Sequence, residues 1–137
     1  MTRGPFVLKG IDHIVLRVAD LQKSLDFYCS QLGCVQERSI PELGLYQLRA
    51  GEQLIDLIPI GAKLAGTEPR AASGLNVDHF CLFISPFDPE QLLSWAQKAG
   101  LQHSEVATRY GARGDGPSLY LHDPDGNTVE LKGESQA

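Results

Sequence analysis

Apolar and polar residues alternate along two stretches of the chain with one shared pattern. Ile11-Asp12-His13-Ile14-Val15-Leu16-Arg17-Val18 returns further on as Val77-Asp78-His79-Phe80-Cys81-Leu82-Phe83-Ile84, and β-branched and aromatic residues dominate both, as in strands. Successive side chains of a strand point to opposite faces. Ile14, Leu16 and Val18 therefore share one apolar face, as do Phe80, Leu82 and Ile84, while both histidines lie on the other. Internal repetition of this kind predicts two similar halves.

A helical period follows each strand. Asp20 caps a helix with Leu21, Leu25, Tyr28 and Leu32 on one stripe and Gly33 as its stop. In the second half Asp88-Pro89-Glu90-Gln91 combines an N-cap, a proline at the first helical position and a capping-box glutamine. Leu92, Trp95, Ala96 and Ala99 form the stripe, and Gly100 ends it. Further strands are expected over about 45–50 and 53–59, then 118–122 and 127–132, with weak ones near 34–39 and 102–108. Asp123-Pro124-Asp125-Gly126-Asn127 carries the residues of a tight turn and predicts a hairpin. The fold class is α+β: two tandem βαβββ modules in a single domain spanning 1–137, forming a cleft-shaped, partly open barrel. Module 1 covers about 9–60, a Gly- and Ala-rich linker about 61–75, and module 2 about 76–133.

The same alternation sets carboxylates on the histidine-bearing faces. Glu130 lies with Thr128 and Lys132, opposite to Val129 and Leu131, and Asp56 lies opposite to Ile55 and Leu57. If the halves pack as a pseudo-dimer, His13, Asp56, His79 and Glu130 line one cleft. Imidazoles with carboxylates suit a first-row divalent ion such as Ni, Zn, Co, Mn or Fe, whereas calcium and magnesium prefer all-oxygen sets. A site of this kind keeps positions open for water or substrate. By the same parity Arg17 shares the face of His13. Tyr46 precedes Asp56 by as many residues as Tyr120 precedes Glu130, which makes the two tyrosines candidate substrate contacts. Arg113, in the Gly-rich stretch Tyr110–Gly116, and Arg109, immediately before that stretch, are candidates for a mobile flap over the cleft.

Composition narrows the partners. The 137 residues are 42% apolar and 21% charged, as in ordinary globular domains. A net charge of −5 provides no basic field for nucleic acid or an anionic membrane, so a small molecule is the expected partner. No apolar run approaches a bilayer span and no signal-like apolar core opens the chain, so a cytoplasmic location is expected. Three cysteines without a C-x-x-C pair argue against both a disulfide framework and a thiolate zinc site, and buried thiols are expected.

These residues resemble the vicinal oxygen chelate superfamily, which includes glyoxalase I, fosfomycin-resistance proteins, methylmalonyl-CoA epimerase, extradiol dioxygenases and bleomycin-binding proteins. The resemblance spans about 9–133 and rests on Ile11–Ile14, Leu25-Asp26-Phe27-Tyr28 with Leu32-Gly33, Val77-Asp78-His79, and Leu119 through Leu131. It implies metal ligation by His13, Asp56, His79 and Glu130, with Asp56 standing where glyoxalase I has Glu. With four ligands it implies an isomerase or lyase acting on a small oxygen-chelating substrate through a metal-stabilised enediolate, Glu130 or Asp56 serving as base. With three ligands it implies extradiol-type dioxygenase or fosfomycin-type thiol-transferase chemistry. Ser118 and Tyr120 match polar residues lining the fosfomycin-type site, although Val15 replaces that group's Thr and its late Arg is missing. A metal-free, drug-sequestering protein is the third reading. The resemblance also implies a homodimer.

Overall fold

The computed structural model describes residues 13–65 and 79–134, together with Pro5, Ile11 and Val77. The chain divides into two compact units, Met1–Pro69 and Arg70–Ala137. Of the expected linker, residues 66–75 lie outside the described residues, as do Asp12 and Asp78.

In the first unit, β1 (His13–Val18) leads into α1 (Leu21–Leu25), which continues as a π-helical stretch over Asp26–Gln31. Then come β2 (Val35–Ile40), β3 (Leu45–Ala50) and β4 (Gln53–Pro59). The second unit repeats the order: β5 (His79–Phe83), α2 (Pro89–Lys98), β6 (Ala107–Gly111), β7 (Gly114–His122) and β8 (Thr128–Lys132). The sheets run β1-β4-β3-β2 and β5-β8-β7-β6. In each, the first strand pairs parallel with the last and the other pairs are antiparallel. Each unit is thus a βαβββ module, as the repeat predicts.

The helix signals act through identifiable bonds. The Asp20 carboxylate accepts the Lys23 N–H at 3.1 Å and the Asp88 carboxylate accepts the Gln91 N–H at 3.2 Å, each satisfying a first-turn donor. Gly33 and Gly100 end the helices at φ +89° and +69°, a region costly for side-chain-bearing residues. The first helix departs from the expected α period. In its π-helical part the adjacent Phe27 and Tyr28 are both buried, in edge-to-face contact with centroids 4.9 Å apart.

Each core lies on one sheet face. Leu16, Val18, Leu48, Ile55 and Leu57 join Phe27 and Tyr28 in the first unit, and Leu119, Leu121, Val129 and Leu131 join Ala96 in the second. The strand signal near 34–39 is weak because β2 is almost wholly exposed and carries a register shift between Gln36 and Arg38. The strand expected over 102–108 begins later. Only His103 makes an isolated bridge, to Leu121, before β6 starts at Ala107. The Gly-rich stretch forms the β6–β7 hairpin, with Tyr110 opposite Asp115 and Gly111 opposite Gly114. Among the described residues no helix is long and apolar enough to cross a membrane.

Candidate functional site

In the second unit, register fixes which side chains share the face opposite the core. Tyr120 stands opposite Glu130, and Glu130 opposite Cys81, with His79 two residues before Cys81 on the parallel neighbour. Glu130 is 5% exposed. Its Oε1 lies 3.4 Å from His79 Nε2, and the His79 ring meets Tyr120 edge-on at a centroid distance of 5.6 Å. The structure therefore brings His79, Glu130 and Tyr120 together. Ser118 belongs to the same face and is fully buried. Its Oγ accepts a 2.8 Å hydrogen bond from Arg109 Nη1, and the Arg109 guanidinium stacks 4.1 Å over the Tyr120 ring. Arg109 thus sits among the site residues instead of at a hairpin tip.

In the first unit, Val15 stands opposite Asp56, so His13, Val15 and Arg17 share a face with Leu54, Asp56 and Ile58. Asp56 is 4% exposed. Its Oδ2 accepts a hydrogen bond from Gln47 Nε2 at 3.2 Å, while its buried Oδ1 has no partner. Buried polar oxygens are rarely left unsatisfied, and this one suits a cationic ligand.

Tyr46 does not belong to this constellation. It pairs with Leu57, and Leu48 with Ile55, so Tyr46 lies on the core-side face and Gln47 stands opposite Asp56. Counting back from the two carboxylates equated Tyr46 with Tyr120 because the β3–β4 and β7–β8 connections differ in length. Alternation within Leu45-Tyr46-Gln47-Leu48-Arg49, with Tyr46 in phase with Leu48, carries the correct assignment.

Among the described residues, no group of three or more His, Cys, Asp and Glu side chains is gathered to hold a metal ion. The four candidates fall two to a unit, His13 with Asp56 and His79 with Glu130. Their donor chemistry fits a first-row divalent ion, and the unpartnered Asp56 Oδ1 fits it as well. All three cysteines are free, but none is fully buried as expected: Cys29 and Cys34 are half-buried and Cys81 is exposed. Desolvation of its sulfur, then the negative charge of Glu130, push the Cys81 thiol up to about 11, with Lys132 opposing. It is a neutral thiol at physiological pH. Burial and then the neighbouring Cys29 likewise push Cys34 up to about 11.

Residues 10–131 match the family model of the Glyoxalase/Bleomycin resistance protein/Dioxygenase superfamily. The chain belongs to that superfamily. As a superfamily member it is 32% identical over 136 residues to the glyoxalase domain-containing protein RDO1 of Mycosarcoma maydis, covering 95% of this chain and 71% of the relative. It is also 28% identical over 131 residues to virulence protein STM3117 of Salmonella typhimurium, covering 91% and 84%. A solved structure from the mobile metagenome of V. Pseudocholerae, VPC_CASS1, superposes with a TM-score of 0.77 at 28% identity, covering 96% of this chain and 98% of that one. The superfamily resemblance and the tandem βαβββ fold expected from the sequence are both borne out. Two further residues on the site face of this superfamily member, Gln47 and Lys132, had no role in the sequence reading. Strand parity sets Lys132 on the face of Glu130, and the same alternation, with Tyr46 in phase with Leu48, sets Gln47 on the face of Asp56.

Proposed function

We propose that this superfamily member is a divalent-metal-dependent enzyme, an isomerase or lyase acting on a small oxygen-chelating molecule, with His13, Asp56, His79 and Glu130 as the ligand set. The observation that carries the reading is the pair of matched buried carboxylates. Asp56 and Glu130 each lie on the sheet strand next to a histidine-bearing one, on the histidine's face, and Asp56 keeps one buried oxygen without a partner. Sheltered carboxylates with so little protein pairing are costly unless a cation is to meet them.

The bound ion would supply Lewis-acid polarisation of a substrate oxygen. The remaining work falls to the chain's own groups. A carboxylate at Glu130 or Asp56 takes the proton beside the substrate carbonyl. Tyr120, packed against the His79 ring, restricts that imidazole's orientation, and Gln47 holds Asp56 by one oxygen so that the other faces the site. Ser118, Tyr120 and Arg17 offer contacts to the substrate.

Chelator-treated protein titrated with Ni²⁺, Co²⁺, Mn²⁺, Fe²⁺ and Zn²⁺ should take up about one ion per chain, releasing protons as imidazole and carboxylate groups bind. Calorimetry with elemental analysis measures both. Failure of all five ions to bind more tightly than they bind a His13→Ala/His79→Ala variant would overturn the proposal.

A further inference from the structure

Lys132 is 5% exposed, and its Nζ is buried with no hydrogen-bonding partner. A lysine ammonium so placed has given up its hydration without replacement, which is costly and uncommon. Its placement follows from two glycines. A Cβ at Gly111 would stand 3.2 Å from both Lys132 Cδ and Cε, and one at Gly116 would stand 3.1 Å from Nζ. Missing side chains at these positions of the β6–β7 hairpin open a trough for the lysine stem.

Charge on this face is lopsided. Lys132 stands between Ser118 on one neighbouring strand and Phe83 on the other. Arg109 bonds the Ser118 hydroxyl, and Arg113, from the hairpin turn, sets its guanidinium 3.9 Å over the Phe83 ring. Three cations therefore surround Ser118 and Phe83. Glu130 is the one acidic side chain on this face of β5–β8, and it is engaged with His79 at 3.4 Å. Asp115 points to the other face, and Glu134, beyond the end of β8, is exposed and not paired with Lys132. Such a grouping of cations in a chain of net charge −5 calls for an anion.

We propose that Lys132, with Arg113 and Arg109, forms an oxyanion subsite that takes the carboxylate or phosphate group of a small-molecule ligand. Arg113 is exposed and held over Phe83 by a surface cation–π contact that opens at little cost. The oxyanion enters as the Arg113 guanidinium lifts, and charge-assisted hydrogen bonds from Lys132 and the two arginines replace the lost hydration. That the anion belongs to the substrate of the metal site rests on the function proposed above; the subsite itself does not.

The test is calorimetric titration of metal-stripped, full-length protein with sodium phosphate and, separately, sodium acetate, each against sodium chloride at equal ionic strength. Saturable binding of at least one oxyanion is expected, and the one preferred identifies the ligand's anionic group. Lys132→Met keeps the stem's bulk and should weaken binding by roughly tenfold or more. Gly111→Ala keeps the charge but crowds the stem and should weaken it by a smaller factor, which covers the case of a Lys132→Met protein that fails to fold. Equal affinity in the wild type and these variants, or no preference for either oxyanion over chloride, overturns the proposal. Because no metal is present, failure here leaves the metal-centre reading standing, and failure of metal binding leaves this one standing.

Discussion

Asp56→Asn should weaken metal binding as severely as Glu130→Gln does, while leaving the metal-free protein as heat-stable as the wild type or more so. The substitution keeps the side chain's shape and an acceptor for the Gln47 amide, so strand pairing has no reason to change. What goes is the charge on a carboxylate that is 4% exposed and has one oxygen without a partner. Burying such a group costs about 1–3 kcal/mol, which the amide partly recovers. A coordinating role predicts a loss beyond the roughly 10–100-fold typical of residues that only orient a ligand. Asp56→Glu separates reach from charge. If Asp56 coordinates, the longer carboxylate should preserve or tighten binding. Metal titration of the three variants, with thermal unfolding of their stripped forms, checks this. An Asp56→Asn protein that binds metal like the wild type would remove Asp56 from the site.

A large loss of stability is expected at a residue that touches no ligand. Asp123 is 5% exposed and closes the β7–β8 connection. The Asp125 and Asn127 N–H groups donate to its Oδ1 at 2.9 and 2.8 Å, and the Asn127 side-chain amide donates to its Oδ2 at 2.8 Å. Alanine leaves these donors facing a buried space. Hydrogen bonds to a charged acceptor contribute about 1.5–3 kcal/mol each but overlap within one turn, so a total loss of about 2–4 kcal/mol is expected. That corresponds to a melting midpoint lower by roughly 5–15 °C. Asp123→Asn, which can still accept at one oxygen but sets an amide against the Asn127 amide, should fall between. The turn also fixes the register that puts Tyr120 opposite Glu130, so the alanine variant should bind metal less tightly even where it is folded. A stability change below about 1 kcal/mol would mean that the turn holds without its aspartate.

The features legible in the sequence were those with one local cause. The Asp123–Asn127 turn, the Asp20 and Asp88 caps and the glycine stops are short-range hydrogen bonding and backbone sterics, and all are present. Alternation placed Glu130 and Asp56 on the histidine faces because one buried face locks the phase of a strand. Features that depend on partners far along the chain were harder to read. Tyr46 was misplaced by matching distances along the sequence across connections of unequal length, although its own strand held the right phase. The pairing within Tyr110–Gly116 is not legible because Gly111, Gly114 and Gly116 carry no alternation to read. The π-helical stretch over Asp26–Gln31 keeps apolar residues close to an α spacing, so only backbone geometry shows it. Lys132 was assigned its face but not its burial, which depends on glycines in two other strands.

The proposed ligand set has His13 and His79, far apart in sequence, serving one ion. A double-mutant cycle, with metal affinity measured for the wild type, His13→Ala, His79→Ala and the double variant, distinguishes one shared site from two separate roles. One shared site predicts that each single change removes most of the affinity and that the second adds far less than its effect alone, a strong departure from additivity. Two independent histidines predict losses that add, and additive losses would mean that the two imidazoles do not share an ion.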